Sequence, residues 1–305
     1  MKTPLAVFAY NRPEHLGRAL AALARCARLE ECAVTIFCDG PRESGARSSV
    51  EAVREVARSW AADHDAEVRE AAGNLGLAHS IVGGVSELCA AHGRVIVLED
   101  DLEPAPDFLT YMLTALDRWS DESAVWQIAG FRLPFAWSGS NDALFLPCTT
   151  TWGWATWQRA WQHFRWTPPD LGQLDDPTVS RAFDLDGAYP YSQMLRDRIA
   201  GRNDSWGILW WWTVFRAAGL VLYPRESLLT VGGFDESGTH CGADGAIVAA
   251  QVRGKFPRSG ARMPAAATTD ADAFAALREY LRATTPAPRR AWPWWRRALS
   301  LHPAR

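Results

Sequence analysis

The chain has 305 residues, 48% of them hydrophobic and 22% charged, which is ordinary soluble globular usage and excludes bulk disorder, collagen and coiled coil. Its formal net charge of −3 gives no global basic field for a nucleic-acid partner. No stretch reaches the roughly 20 apolar residues of a membrane span, and the N-terminal apolar run is too short for a signal peptide. Six cysteines form no CxxC or zinc spacing, so they read as reduced, neutral positions of a cytosolic protein.

The first hundred residues alternate strand and helix. Leu5–Tyr10 is a short apolar run without helical period, predicting a buried strand. Pro13 suits the first turn of a helix whose face is Leu16, Leu20 and Leu23. Ala33–Cys38 predicts a second strand ending in Asp39-Gly40-Pro41, a turn signal. Ser48 to about Ala62 reads as helix and Ala66–Arg69 as a short strand. Gly73-Asn74-Leu75-Gly76 is a loop before a helix marked by Leu77, Ile81, Val85, Leu88 and Cys89. Val95–Leu98 is a third strong strand and runs into Glu99-Asp100-Asp101. Pro106 and Asp107 open a helix whose buried face is Phe108, Met112, Leu116 and Trp119.

This order predicts an α/β fold with a mainly parallel sheet flanked by helices. Ligands of such sheets bind beyond the carboxyl ends of the strands. Three polar clusters stand at those ends: Tyr10-Asn11-Arg12, Asp39-Gly40 and Glu99-Asp100-Asp101.

The second half holds most of the tryptophan, 15 of 16 lying at or after Trp119. Val125–Ala129, Ala143–Leu146 and Leu220–Tyr223 read as strands. Trp154–Phe164, Ser205 to about Ala218, and Ala271–Ala283 read as helices. From Thr284 a Pro-rich linker leads into Arg289, Arg290, Arg296 and Arg297 interleaved with Trp292, Trp294 and Trp295. That pattern fits an interfacial membrane segment, a docked helix or a disordered tail.

Adjacent carboxylates after a buried strand repel one another unless a cation neutralises them, and hard oxygen ligands there suit Mg²⁺ or Mn²⁺. The same run also reads as an acidic loop capping the next helix. Asp39 either accepts hydrogen bonds from a base or ribose or simply forms a turn. Arg12 either binds a phosphate or is a surface arginine. Gly76 precedes a helix N-terminus, a place suited to phosphate. Trp152, Trp154 and Trp206 offer rings for the C–H faces of a sugar, or fill a core. Asp204 reads as an N-cap or a general base. Asp235 and Glu236 are rival bases in a Gly-rich loop that also carries His240. With no P-loop, GxGxxG or nucleophile elbow, kinase, dinucleotide dehydrogenase and α/β-hydrolase readings are disfavoured.

Val95 through Glu103, followed by Ala105-Pro106-Asp107-Phe108, closely resembles the acidic motif of the N-acetylglucosaminyltransferase I family. The chain is more similar still to bacterial sugar transferases of the same GT-A fold. It shares Phe8 to His15, Phe37-Cys38-Asp39-Gly40-Pro41 and Asn74-Leu75-Gly76-Leu77-Ala78. Trp152 to Trp157, Asp204-Ser205-Trp206, Gly232-Gly233-Phe234 and Gly238-Thr239-His240-Cys241 follow in order, so the similarity spans residues 4–242. It implies a GT-A domain over 1–270, with a nucleotide-binding half to about 104 and an acceptor half to about 270. A C-terminal helix at 271–284 and the tail at 285–305 follow. The implied activity is a metal-dependent, inverting hexosyl- or N-acetylhexosaminyl-transfer from a UDP-sugar to a glycan or lipid-linked acceptor, as in surface polysaccharide or lipopolysaccharide assembly. Tyr10, Asn11, Arg12, Asp39, Gly76, Glu99 and Asp100 would bind the donor, Asp39 at the base and Gly76 near the diphosphate. Asp101 would bind Mn²⁺ or Mg²⁺, Asp204 would be the base, and Trp152, Trp154, Trp206 and His240 would touch sugar or acceptor. The protein would be cytoplasmic and peripheral at the inner face of the membrane. Position 207 is Gly where the animal enzymes set their acid among tryptophans. That departure leaves open a non-catalytic carbohydrate-binding protein on a degenerate GT-A fold. A sugar-nucleotide nucleotidyltransferase would need a Gly-rich basic loop that Tyr10-Asn11-Arg12-Pro13 does not supply.

Overall fold

The computed structural model describes residues 2–232 and 254–285. Four strands, β1 (Thr3–Ala9), β2 (Cys32–Cys38), β3 (Glu67–Glu70) and β4 (Arg94–Glu99), alternate with helices α1 (Pro13–Leu23), α2 (Arg47–His64) and α3 (Leu77–His92). Next come β5 (Leu102–Pro104), α4 (Phe108–Arg118), β6 (Val125–Ala129), β7 (Ala143–Leu146) and β8 (Trp154–Trp157). Helices α5 (Gln158–Trp161), α6 (Pro177–Phe183), α7 (Tyr191–Ile199) and α8 (Trp206–Arg216) precede β9 (Leu220–Pro224), β10 (Leu229–Val231) and α9 (Ala271–Thr284).

Eight strands form one sheet in the order β3-β2-β1-β4-β8-β6-β9-β7, so strands from both halves of the chain share it. The pairs β3–β2, β2–β1, β1–β4 and β6–β9 are parallel, whereas β4–β8, β8–β6 and β9–β7 are antiparallel. This is the mixed, mainly parallel α/β sheet that the sequence predicts. Its central strands are apolar on both sides because both faces are covered. On β1, Leu5 and Val7 pack with Leu16, Leu20 and Val53 on one face. Ala6 and Phe8 pack with Ile81, Val85 and Leu88 of α3 on the other.

Two local readings are corrected. Trp154–Trp157 is a strand, and only Gln158–Trp161 continues as helix. Trp154 enters the core on the α3 side while Ala155 and Trp157 enter the opposite one. With both faces buried, no period-2 signal is left in the sequence. Leu77, expected on the buried face of α3, is exposed. The small two-stranded sheet β5–β10 and the helices α6 and α7 are additions the sequence reading lacked.

The five described cysteines are unpaired and buried. Burial pushes the thiols of Cys26, Cys32, Cys38, Cys89 and Cys148 up to about 12, so all five are inert core groups. Among the described residues, no helix is long and apolar enough to cross a membrane.

Candidate functional site

The chain adds β2 and β3 on one side of β1 and then places β4 on the other. The crevice beyond β1 and β4 is therefore a topological switch point, where open α/β sheets bind ligands. Parallel register sets Phe8 beside Glu99, so the turn after β1 and the acidic turn after β4 leave the sheet side by side. Pro13 fixes the start of α1 and leaves Arg12 as the non-helical N-cap just before it. The Arg12 guanidinium donates through Nη2 to Asp100 Oδ1 and, at 3.1 Å, to Asp101 Oδ2. The Tyr10 amide reaches Asp100 Oδ2 at 3.4 Å. The two-stranded antiparallel ribbon β5–β10 follows the acidic turn directly, and the Gly232 amide donates to the Asp101 carbonyl at 2.7 Å. Asn11 is half-buried in the same turn as Arg12.

Burial and the neighbouring Asp101 and Asp100 charges push the Glu99 carboxyl well above the usual carboxylate range. Burial raises Asp100 to about 6, although Arg12 beside it pulls the other way. Two of the three acids, Asp100 and Asp101, thus share one guanidinium, and Glu99 stands next to them in sequence. Among the described residues no three His, Cys, Asp or Glu side chains form a self-sufficient metal cage. Hard carboxylate oxygens with one arginine nevertheless fit Mg²⁺ or Mn²⁺, which keep waters and take one or two carboxylates plus substrate phosphates. Asp101, whose side chain is 19% exposed against 5% for Asp100, is the acid open to such an ion.

Asp39 lies next to this crevice but is turned to the protein itself. Its Oδ1 accepts from the amides of Gly40 and Leu75, both at 2.8 Å. Its Oδ2 accepts from the Gly76 amide at 2.9 Å and from Asn74 Nδ2 at 3.0 Å. Four donors fill the four acceptor positions of a carboxylate. Both Asp39 oxygens and the Gly76 amide thus bond within the chain, where the sequence reading set them toward a base and a diphosphate. The Tyr10 hydroxyl accepts from the Arg42 amide at 3.2 Å and ties the next loop to the same wall.

The second half of the chain reaches the crevice through β8. Antiparallel register sets Trp154 beside Val97, so Thr151, Trp152 and Gly153 lie at the end of the sheet where the acids lie. The start of α8 packs there too, since a Cβ on Gly207 would stand 3.3 Å from Thr151 Oγ1. The N-cap of α8 is Ser205, whose Oγ accepts from the Ile208 amide at 3.4 Å. Asp204 is thus not the cap: it is exposed, just outside the helix, at this end of the sheet. Buried Gln127 joins the two pieces, donating to the Thr150 carbonyl and accepting from Trp210 Nε1, both at 2.6 Å.

The tryptophan expectations divide. Trp154 is 0% and Trp206 5% exposed, and the two rings pack at 5.5 Å with Trp161 and Trp210 in a common core. Neither presents a face to a sugar, because their area is spent on joining α5 and α8 to the sheet. Trp152 is half-buried, edge-on to Phe131 at 4.7 Å, and keeps open surface near the crevice. His240, Asp235 and Glu236 lie outside the described residues. Gln127 and Asn74 had no assigned role in the sequence reading. Gln127 carried a signal, a polar residue inside the apolar strand Val125–Ala129, whereas Asn74 looked like ordinary loop chemistry.

Comparison of the sequence with protein-family profiles and with curated proteins gives no match. Solved structures similar to the chain include S. aureus TarS, at 11% identity and a TM-score of 0.43, over 75% of this chain and 36% of that one. GalNAc-T7, determined with UDP, GalNAc and Mn²⁺, is similar at 11% identity and a TM-score of 0.44, over 73% of this chain and 41% of that one. A cytidylyltransferase from Leptospira borgpetersenii is similar at 13% identity and a TM-score of 0.32, over 58% and 65% respectively. The chain spans less than half the length of the first two. At these identities and scores the likenesses carry no argument about activity, which rests on the site itself.

Proposed function

We propose that the chain is a GT-A-type glycosyltransferase. It moves a hexosyl or N-acetylhexosaminyl group from a UDP-sugar to a hydroxyl of a glycan or lipid-linked acceptor. The observation that carries this reading is the acid–arginine cluster at the β1/β4 switch point, where Arg12 bridges Asp100 and Asp101. A divalent ion arriving with the donor diphosphate would be shared between these carboxylates and the phosphate oxygens. Asp101 would hold Mn²⁺ or Mg²⁺, which when bound neutralises charge on the leaving diphosphate. Arg12 faces the same ligand, and Asp100 stays buried behind it.

Asp204 takes the proton of the acceptor hydroxyl. The acceptor oxygen attacks the anomeric carbon from the face opposite the diphosphate, and the bond to the diphosphate oxygen breaks with its electron pair. One displacement inverts the anomeric centre. A half-open Trp152 ring suits the apolar face of a sugar beside it. The basic, Trp-rich residues 285–305 would hold the enzyme at the inner membrane surface, close to a lipid-linked acceptor.

The test is donor turnover. Asp204→Asn should bind UDP-sugar as the wild type does and lose about 10²-fold or more in transfer. A fully active variant would reject Asp204 as base. A wild-type protein that binds nucleotide sugars but neither transfers nor hydrolyses them would favour the non-catalytic binding reading.

A further inference from the structure

We infer that Asp39 is a positioning residue that clasps the 73–76 loop and the start of α3 to the end of β2, and that it sets the donor-side wall without reading the base. The inference deepens the donor-binding reading above and rests on it. The Asp39 carboxylate is 6% exposed, and both oxygens are bonded within the chain. Three of its four donors, Asn74 Nδ2 and the Leu75 and Gly76 amides, come from a single loop. Asn74 Nδ2 also donates to the Gly40 carbonyl at 2.9 Å, which doubles the link. Gly40 has no room for a Cβ, which would meet Gly73 backbone oxygen at 2.6 Å and Gly73 Cα at 2.7 Å. The two backbones are therefore in direct contact beneath the carboxylate.

The place of this clasp makes it more than a brace. The Asp39 amide donates to the Ala9 carbonyl at 2.9 Å, one residue before the Tyr10-Asn11-Arg12 turn. Gly76 sits at φ +77° as the N-cap of α3 and turns its amide back toward Asp39. The carboxylate thus fills the anion position at the helix start, and its charge complements the helix dipole. Leu75, 56% exposed, and Leu77, 44% exposed, are two of the large apolar side chains presented at the surface, and the clasp fixes both. A base or ribose bound in the crevice would meet these residues and the turn after β1, whose spacing Asp39 sets.

The experiment combines hydrogen exchange with binding. Asp39→Asn keeps an oxygen for Gly40 and Leu75 but sets an NH₂ against two donors, Asn74 Nδ2 and the Gly76 amide. Exchange of the Leu75 and Gly76 amides in the ligand-free protein should rise about tenfold or more. Calorimetry with UDP, CDP, ADP and GDP in Mg²⁺ should show affinity falling by a common factor of about ten, with the ranking of the four unchanged. If Asp39→Asn fails to fold, Asn74→Ala removes one bond of the same clasp and should move both readouts less far in the same direction. Unchanged exchange at Leu75 and Gly76 would overturn the clasp. Intact protection with a collapsed base preference would overturn the positioning role and make Asp39 the base reader. A wild type that binds none of the four nucleotides sinks the donor-binding reading instead, and the exchange arm still reports on the clasp.

Discussion

Replacing Gly40 by alanine perturbs the clasp without touching any charged group. The added Cβ would lie 2.6–2.7 Å from Gly73 backbone atoms, inside the 3.0 Å that real Cβ atoms respect. The obstacle is backbone, so the 73–76 loop must retreat by several tenths of an ångström. Overpacking of this kind costs about 1–3 kcal/mol. Loosening the bonds of Asp39 to Leu75 and Gly76, now at 2.8 and 2.9 Å, adds about 1 kcal/mol or more. The sum is roughly 2–4 kcal/mol, which for a chain of this length lowers Tm by about 3–6 °C. Gly45→Ala is the matched control, since its Cβ would meet nothing within 4 Å. Differential scanning fluorimetry and urea unfolding of the two variants beside the wild type measure the difference. A Gly40→Ala protein that melts together with Gly45→Ala would refute the close backbone contact and the clasp built on it.

The aromatic core offers a second comparison. Trp210 Nε1 bonds buried Gln127 Oε1, whereas Trp154 Nε1 has no partner among the described residues. Trp210→Phe should therefore lose about 1–3 kcal/mol more than Trp154→Phe in urea unfolding, and equal losses would remove the Gln127 bridge from the account. Asp101→Asn should abolish the metal dependence of nucleotide binding in calorimetry while leaving the fold intact. Binding that stays metal-dependent would move the metal ligand elsewhere. Removing residues 285–305 should lower co-sedimentation with anionic liposomes, and unchanged sedimentation would end the membrane reading of that segment.

Much of the first hundred residues was legible because their signals are local. Largely apolar runs of four to six residues ended at Tyr10, Asp39 and Glu99, and a parallel sheet gathers strand ends by construction. The sequence could not show that Arg12 bridges Asp100 and Asp101, because that contact spans nearly ninety residues. Nor could it show that Asp39 is consumed by Asn74, Leu75 and Gly76, a matter of loop closure. The second half was harder for a different reason. Trp154–Trp157 is a central antiparallel strand between β4 and β6, apolar toward both faces, so its pattern is indistinguishable from a buried helix. Tryptophans that looked available to sugars are the mortar of that core. Ser205 and Asp204 are adjacent candidates for one cap, and only the structure separates the bonded hydroxyl from the exposed carboxylate.

The most direct test of the central claim is thermal stability against a panel of nucleotide sugars, with and without Mn²⁺. A ligand present at about 100 times its Kd adds about 2.7 kcal/mol of stability. The account predicts that UDP-sugars raise Tm only when the metal is present, and that Asp101→Asn abolishes the rise. No shift with any nucleotide sugar, with or without metal, would contradict it.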